Sequence, residues 1–303
     1  MTAQGTEPPL LVLVGPTASG KTDFAVRLAE ALDGEIVSAD SVQVYRCFDV
    51  GTGKPDSEQR ARAPHHLIDV VDPLDPFDAA RWATLAERTI ASIRERRRRP
   101  IVCGGTFLWV RALLFGLAPA PPADASLRER HREKSETHGR ARLHAELAAV
   151  DPGTAARLAP NDFVRVSRAL EVYELTGSPM SVWQAEHGFR EPRHAARLVG
   201  VRRERAELDR RIEARARAML EAGWVNEVRQ LLERGYAGAR AMSSVGYRQV
   251  RDAIEHGTLD ADLLADGIVR ATRVFARRQR TWLRDQAVEW VDAGDVARFT
   301  APS

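Results

Sequence analysis

The apolar run Leu10-Leu11-Val12-Leu13-Val14 has the length of one buried strand. A polar, glycine-flanked segment follows, and then Phe24, Leu28, Ala31 and Leu32 recur at helical spacing. This pattern predicts a strand that turns through a tight loop into an amphipathic helix. Glu35-Ile36-Val37-Ser38-Ala39 reads as a second strand ending at Asp40-Ser41. A polar, glycine-punctuated connection runs through Val42-Gln43-Val44-Tyr45 to Gly51-Thr52-Gly53-Lys54-Pro55, and its length and lysine predict a loop that faces a site. His65-His66-Leu67-Ile68-Asp69 suits an ordered loop and short strand better than a metal site, because adjacent histidines do not converge on one ion. Residues 77–99 predict a helix with Trp82, Leu85, Ala86, Ile90 and Ile93 on one face. Pro100-Ile101-Val102-Cys103 then reads as a strand running into Gly104-Gly105-Thr106.

From Gly116 the pattern changes. Ala118-Pro119-Ala120-Pro121-Pro122 is a proline-rich crossing, and short helical patterns rich in Arg, Glu and Ala lie beyond it. The strand pattern resumes at Arg197-Leu198-Val199-Gly200-Val201. Residues 117–197 therefore read as a mainly helical insertion, and residues 1–116 with 198–303 as an α/β core of parallel strands flanked by helices.

Three helices close the chain. In residues 205–222, Leu208, Ile212 and Met219 share a column whose missing member is Arg215. A guanidinium on an apolar stripe is costly unless an anion pairs with it. Arg215 either snorkels to the edge or faces a cleft to meet a phosphate. A second helix starts at Trp224, and Ser243-Ser244-Val245-Gly246-Tyr247-Arg248 reads as a loop. The last helix, residues 260–284, places Leu264, Ile268, Ala271, Phe275 and Trp282 on one face. Arg270, Arg273, Arg277, Arg280 and Arg284 lie roughly opposite. Five arginines without acidic relief suit a nucleic-acid backbone; a solvated face is the alternative. Arg96 to Arg99 read first as a solvated helix end and only second as an RNA contact.

Composition narrows the class. In 303 residues with 44% hydrophobic and 29% charged content there is no run long enough for a transmembrane helix. Residues 1–9 lack the charged and apolar regions of a signal peptide and read as a disordered tail. Cys47 and Cys103 have no metal or redox spacing, as for thiols in a reducing cytoplasm. Net charge is +3, yet lysine occurs only at positions 21, 54 and 134 among 45 basic residues, so Lys21 and Lys54 mark places for a compact ammonium.

The most specific chemistry lies in Gly15-Pro16-Thr17-Ala18-Ser19-Gly20-Lys21-Thr22, between strand and helix. Gly15 and Gly20 let backbone amides approach a ligand closely. Those amides and the helix N-terminus form a nest for phosphate oxygens. Lys21 adds a charge, and the Thr22 hydroxyl can ligate Mg²⁺. Asp40, at the carboxyl end of the next strand, would point toward this loop. It is a turn or N-cap aspartate, a Mg²⁺-linked carboxylate, or a general base.

These motifs, taken in order, resemble the tRNA dimethylallyltransferase (isopentenyl-tRNA transferase) family. The resemblance rests on Gly15 to Thr22, Ser38-Ala39-Asp40-Ser41-Val42-Gln43-Val44-Tyr45, Gly51 to Pro55, His65 to Asp69 and Gly104-Gly105-Thr106. It continues through Arg168-Ala169-Leu170-Glu171-Val172-Tyr173, Val245-Gly246-Tyr247-Arg248 and Arg278-Gln279-Arg280-Thr281-Trp282. It implies a P-loop NTPase-like fold with a tRNA-binding helical insertion. The implied reaction moves a dimethylallyl group from dimethylallyl diphosphate to N6 of the adenosine 3′ of the tRNA anticodon. The implied catalytic residues are Asp40 as base with Arg215, Lys21 and Thr22 at the diphosphate, and the implied cofactor is Mg²⁺. The positions implied to touch tRNA are Asp40, Ser41, Val42, Gln43 and Thr106; Arg128, Val164, Arg165, Val166, Ser167 and Arg168; Ser243, Ser244, Val245, Gly246, Tyr247 and Arg248; and Arg277, Arg278, Gln279, Arg280, Thr281, Trp282, Leu283 and Arg284. The anticodon stem-loop is the expected partner of a cytoplasmic, monomeric enzyme that does not bind membranes. The sequence departs from the family at Gly53, usually Ala, and at Phe107 and Trp109, usually Gly and Tyr. Phe107 would add bulk beside Thr106. The rival readings are a P-loop small-molecule kinase, which would not require an RNA-facing helix, and a nucleotide-switched RNA-binding protein.

Overall fold

The computed structural model describes residues 8–300, so most of the expected N-terminal tail lies outside the described residues. Six parallel strands form one sheet in the order β3-β2-β4-β1-β5-β6. They are β1 Leu10–Val14, β2 Gly34–Ser38, β3 His65–His66, β4 Arg99–Gly104, β5 Ala196–Val201 and β6 Val288–Val291. β1 is central, between β4 and β5. The chain builds β2, β3 and β4 on one side of β1 and then crosses to β5 and β6 on the other, which opens a crevice beyond the carboxyl end of β1. All five side chains of β1 are buried, as a strand covered on both faces requires.

Helix α1, Lys21–Leu32, starts from Gly20 in the left-handed region and packs Phe24, Ala25, Leu28 and Ala29 against Leu11, Leu13, Ile36 and Val199. Helix α2 is Ser57–Arg62, α3 is Ala79–Glu95 and α4 is Phe107–Phe115. α3 is shorter than its periodicity predicts. Asp78 caps its N-terminus, and Arg97 takes a left-handed turn (φ 59°) that ends it before β4. The arginine run is thus a connection, with Arg96 held by Glu35 and Arg98 by Asp33 at the amino end of the sheet. An RNA contact there would sit at the opposite end of the strands from the phosphate loop.

The chain divides into two compact units, residues 1–114 with 193–303 and residues 115–192. The second unit holds α5 Ala125–His138, α6 Arg140–Val150, α7 Pro152–Ala155, α8 Phe163–Thr176 and α9 Met180–His187. Leu143, Leu147, Ala155, Val166, Ala169 and Leu170 form its core. The first unit ends with α10 Arg205–Glu221, α11 Trp224–Glu233, α12 Tyr247–Glu255 and α13 Ala261–Arg284.

Two sequence expectations give way here. The 243–248 segment is not wholly loop, since Tyr247 opens α12 and is fully buried. On α13 the buried stripe is Leu264, Ala265, Ile268, Val269, Ala276, Gln279 and Leu283, while Phe275 is 40% exposed. The stripe is rotated because α13 packs against both α10 and α12. Strand β6 was not anticipated; its four residues follow the long helix without a turn signal strong enough to announce them.

Candidate active site

A cavity of about 340 Å³ opens beyond the carboxyl ends of β1, β2 and β4, and the residues around it all belong to the first unit. Its wall includes Thr17, Ala18, Lys21 and Thr22 of the phosphate loop, Asp40 to Gln43, Gly104 to Thr106, and Arg215. Lys21 Nζ bends back to the Pro16 carbonyl at 3.4 Å. Burial lowers the Lys21 pKa, with the nearby Cys103 and Asp40 acting in the opposite sense and Arg215 in the same one. An ammonium in this state gains from an arriving anion. The buried Ser19 hydroxyl has no hydrogen-bond partner among the described residues, which suits a loop built around an absent polar ligand. Arg203 Nε and Arg211 Nε donate to the Ser19 and Ala18 carbonyls at 3.1 and 2.8 Å. These contacts occupy the loop's acceptors.

Asp40 has two oxygens in different roles. Oδ1 accepts from the amides of Val42 and Gln43 at 2.9 and 3.2 Å, which fixes the carboxylate as a turn cap. Oδ2 accepts no hydrogen bond among the described residues and is available on the pocket wall. The turn reading and the functional one are therefore both satisfied, one by each oxygen. The Thr106 hydroxyl accepts from the Ser41 amide at 3.0 Å and joins the two strand ends.

Arg215 does not snorkel. It reaches the same cavity, and its Nη2 donates to the Thr52 carbonyl at 3.3 Å. Burial lowers its pKa, while Asp40 and Asp23 pull it back up. The Thr52 and Gly53 carbonyls also accept from Gln43 Nε2, at 3.3 and 3.1 Å. Gly53 is left-handed (φ 58°), and a Cβ there would run into the Arg215 guanidinium and Met219. The glycine at this position leaves room for the arginine.

Several sequence expectations are corrected at this level. Lys54 does not face the pocket: its side chain is 5% exposed, donates to the Tyr45 carbonyl at 2.8 Å and pairs with Asp49 and Asp69. Its connection does reach the pocket, but through Gly51, Thr52 and Pro55. Phe107 adds no bulk beside Thr106 on the pocket wall; it is buried and stacks on Trp282 with centroids 4.1 Å apart. Trp109 is also core and stacks on Trp82.

Of the positions assigned to tRNA, Asp40, Ser41, Val42, Gln43, Thr106, Ser244, Val245 and Gln279 border the cavity. Ser243 also borders it and is exposed, as are Val164, Arg165, Arg248, Arg277, Arg278, Arg280, Thr281 and Arg284. Val166, Ser167, Gly246, Tyr247 and Leu283 are buried by packing and offer no free surface. Val166 joins the core of the second unit, and the Ser167 hydroxyl bonds His131 Nδ1 at 2.9 Å. Arg128 and Arg168 both pair with the buried Glu171. On α13, Arg273 is not free of acidic partners: it lies 3.6 Å from Asp209 and from Glu213 of α10. Arg270, Arg277, Arg278, Arg280 and Arg284 have no ion-pair partner among the described residues.

Sequence reasoning missed three organising residues. Glu227 of α11 accepts from the amides of Asp49 and Val50 at 2.9 and 2.7 Å and from the Tyr247 hydroxyl, and so holds the segment that carries Thr52. Arg211 stands one turn before Arg215 on α10, a spacing that could have flagged it. Arg203 had no local signal.

The sequence profile described as IPP transferase matches residues 43–286, and one described as isopentenyl transferase matches residues 8–65. The chain is 68% identical to the tRNA dimethylallyltransferase of Sorangium cellulosum over 282 residues, 93% of this chain and 90% of that one. It is 47% identical to the tRNA dimethylallyltransferase of Geobacter sulfurreducens over 290 residues, 95% of this chain and 93% of that one. The crystal structure of the full-length tRNA isopentenylpyrophosphate transferase from Bacillus halodurans superposes with a TM-score of 0.68 at 36% identity, covering 96% of this chain and 94% of that one.

Proposed function

The chain belongs to the IPP transferase family, and from that premise we propose that its pocket joins the dimethylallyl group of dimethylallyl diphosphate to N6 of the adenosine 3′ of a tRNA anticodon. The observation that carries this reading is the convergence of Lys21, Thr22, Asp40 and Arg215 on one cavity. A phosphate loop alone would suit many reactions. A carboxylate oxygen held free in front of it, with a half-buried guanidinium beside it, suits the departure of a diphosphate and the loss of a proton. The relatives do not favour the kinase alternative.

The chemistry follows from these groups. The bond between C1 of the dimethylallyl group and the diphosphate oxygen breaks, and the electron pair leaves with pyrophosphate. The N6 lone pair forms the new bond to C1. Negative charge grows on the leaving oxygens, where the loop amides, the N-terminus of α1, Lys21 and Arg215 stabilise it. The N6 proton passes to Asp40 Oδ2 as the bond forms, since a delocalised exocyclic amine is a weak nucleophile until it is deprotonated. The base must leave its stack to reach the cavity.

The donor set fits a divalent cation carried with the diphosphate. The described residues contain no cluster of three His, Cys, Asp or Glu side chains for a dedicated metal cage. They do offer the Thr22 hydroxyl with Asp40 on the same wall and, in the same loop, the buried unpartnered Ser19 hydroxyl, and Mg²⁺ is commonly held by few protein oxygens plus phosphate. Thr22, with Asp40 as a second candidate, would hold Mg²⁺ there. When bound, the ion supplies charge neutralisation of the leaving group.

RNA contact is proposed for the exposed arginines of α13, for Ser243 to Val245 and Arg248, for Ser41 to Gln43 with Thr106, and in residues 117–197 for Val164 and Arg165. No helix among the described residues is long and apolar enough to cross a membrane. We place the enzyme in the cytoplasm as a monomer. With labelled dimethylallyl diphosphate, unmodified tRNA and Mg²⁺ but no ATP, label is expected on N6 of the anticodon-adjacent adenosine. Unlabelled RNA, with transfer of the ATP γ-phosphate to a small molecule instead, would overturn the reading.

A further inference from the structure

Gln279 is out of place on α13. Its neighbours in the buried stripe, Ala276 and Leu283, are apolar, yet its own side chain is 5% exposed. A buried amide persists only where its donor and acceptor are both used. Both are used here, on two different parts of the active site. Gln279 Oε1 accepts from the Thr17 amide of the phosphate loop at 2.8 Å. Gln279 Nε2 donates to the Gly105 carbonyl at 3.0 Å, in the turn that leads to Thr106. Gly105 is matched to this contact, since a Cβ there would collide with Gln279 Nε2. One turn further on, Trp282 stacks on Phe107 with ring planes 2° apart, which fixes the rotation of the helix about its axis.

The flanking residues Arg277, Arg278 and Arg280 point outward, with no ion-pair partner among the described residues. The same two turns of helix therefore present unpaired guanidiniums to solvent and a bidentate amide to the phosphate loop. From this arrangement we infer that Gln279 is a positioning residue that couples occupancy of the arginine face by RNA to the diphosphate affinity of the loop. The inference rests on the proposed function, which supplies the RNA. Gln279 takes the Thr17 amide out of the set available to phosphate and sets where the loop begins. A shift of α13 on RNA binding is passed to Thr17 through one hydrogen bond and to the Thr106 turn through the other. Coupling of this kind is reciprocal: RNA changes diphosphate affinity by the factor by which diphosphate changes RNA affinity.

The test uses the full chain, inorganic pyrophosphate and an unmodified anticodon stem-loop in Mg²⁺ buffer. Pyrophosphate affinity is measured with and without saturating RNA, and RNA affinity with and without saturating pyrophosphate. In the unaltered protein the two ratios should agree and amount to about fivefold or more. Gln279→Met keeps the volume of the side chain and removes both hydrogen bonds. It should bring both ratios close to one and raise KM for dimethylallyl diphosphate about tenfold, the scale of a lost buried hydrogen-bond pair, with a smaller change in kcat. Thermal unfolding with the same Tm as the unaltered chain separates this effect from misfolding. Should the variant fail to fold, Gln279→Glu, which keeps the acceptor for Thr17 and loses the donor for Gly105, takes its place, with the same loss of coupling expected. Coupling that persists in the variant, or is absent from the unaltered protein while RNA is still prenylated, overturns the inference alone. Absence of RNA binding and of prenylation overturns the proposed function and the inference with it.

Discussion

At the scale of single residues, the site depends on side chains whose two ends do different work. Asp40 spends one oxygen on the amides of Val42 and Gln43 and keeps the other for chemistry. Asp40→Asn can keep the capping acceptor while removing the base. Turnover should fall by about two to four orders of magnitude, with pyrophosphate affinity changed little; activity equal to that of the unaltered enzyme would remove Asp40 as the base. Arg215 is a half-buried cation that donates to the Thr52 carbonyl and has no ion-pair partner among the described residues. Arg215→Gln should lower kcat roughly 100-fold or more, as loss of one preorganised stabilising donor does, without lowering Tm, because burying an unpaired charge does not stabilise the free protein. A fall in Tm with unchanged kcat would make it structural.

At the scale of elements, α13 carries three kinds of contact on one rod. Its buried stripe docks on α10 and α12, Gln279 and Trp282 grip the phosphate loop and α4, and its outer arginines face solvent. The arginines divide into two groups. Arg273 is occupied by Asp209 and Glu213, whereas Arg280 has no ionic partner among the described residues. Arg280→Ala should weaken tRNA binding and reduce the slope of log affinity against log salt by about one, and Arg273→Ala should leave that slope nearly unchanged. Equal slopes for both variants and the unaltered protein would make the whole stripe solvated surface. Sequence periodicity found α13 and its arginine content but misjudged its rotation. Phe275 and Gln279 are ordinary and exceptional only in relation to the helices and loop they meet.

At the scale of the whole molecule, each compact unit contains a buried carboxylate tied to arginine. Burial alone would raise the Glu35 carboxyl, but Arg96 and His66 outweigh it and hold it below its ordinary value of 4.5. In the second unit, burial likewise opposes ionisation of Glu171, and Arg128, Arg168 and the Asp124 amide overcome it. Folded-state values below the unfolded one mean that the unfolded chain binds more protons in this range. The stabilisation is present above the ordinary carboxylate range and is lost as pH falls through the depressed values. Tm should fall steeply between about pH 5 and pH 3, and Glu35→Gln or Glu171→Gln should lower Tm at neutral pH and flatten that fall. A Tm that stays level across this acid range would contradict the assignment of both carboxylates as ionised anchors.

The sequence by itself determined what depends on near neighbours along the chain. The β1–loop–α1 unit, Asp40 at the end of β2, and the helical composition of residues 117–197 were legible because strand, turn and helix signals act over a few residues. Arg215 was legible because a charge on an apolar column is a local contradiction. Tertiary structure decided which groups already have partners. Lys54 looked like a site residue and is a structural anchor for Asp49 and Asp69. Arg128 and Arg168, implied by the resemblance to touch tRNA, share Glu171, and Tyr247, read as part of a loop, is buried on Glu227. Gln279, implied by the resemblance to touch tRNA, is the hydrogen-bonded link to Thr17, 262 positions away. A side chain carries its charge and hydrogen-bonding capacity in the sequence; the partner that uses them is set by long-range packing, which no local pattern records.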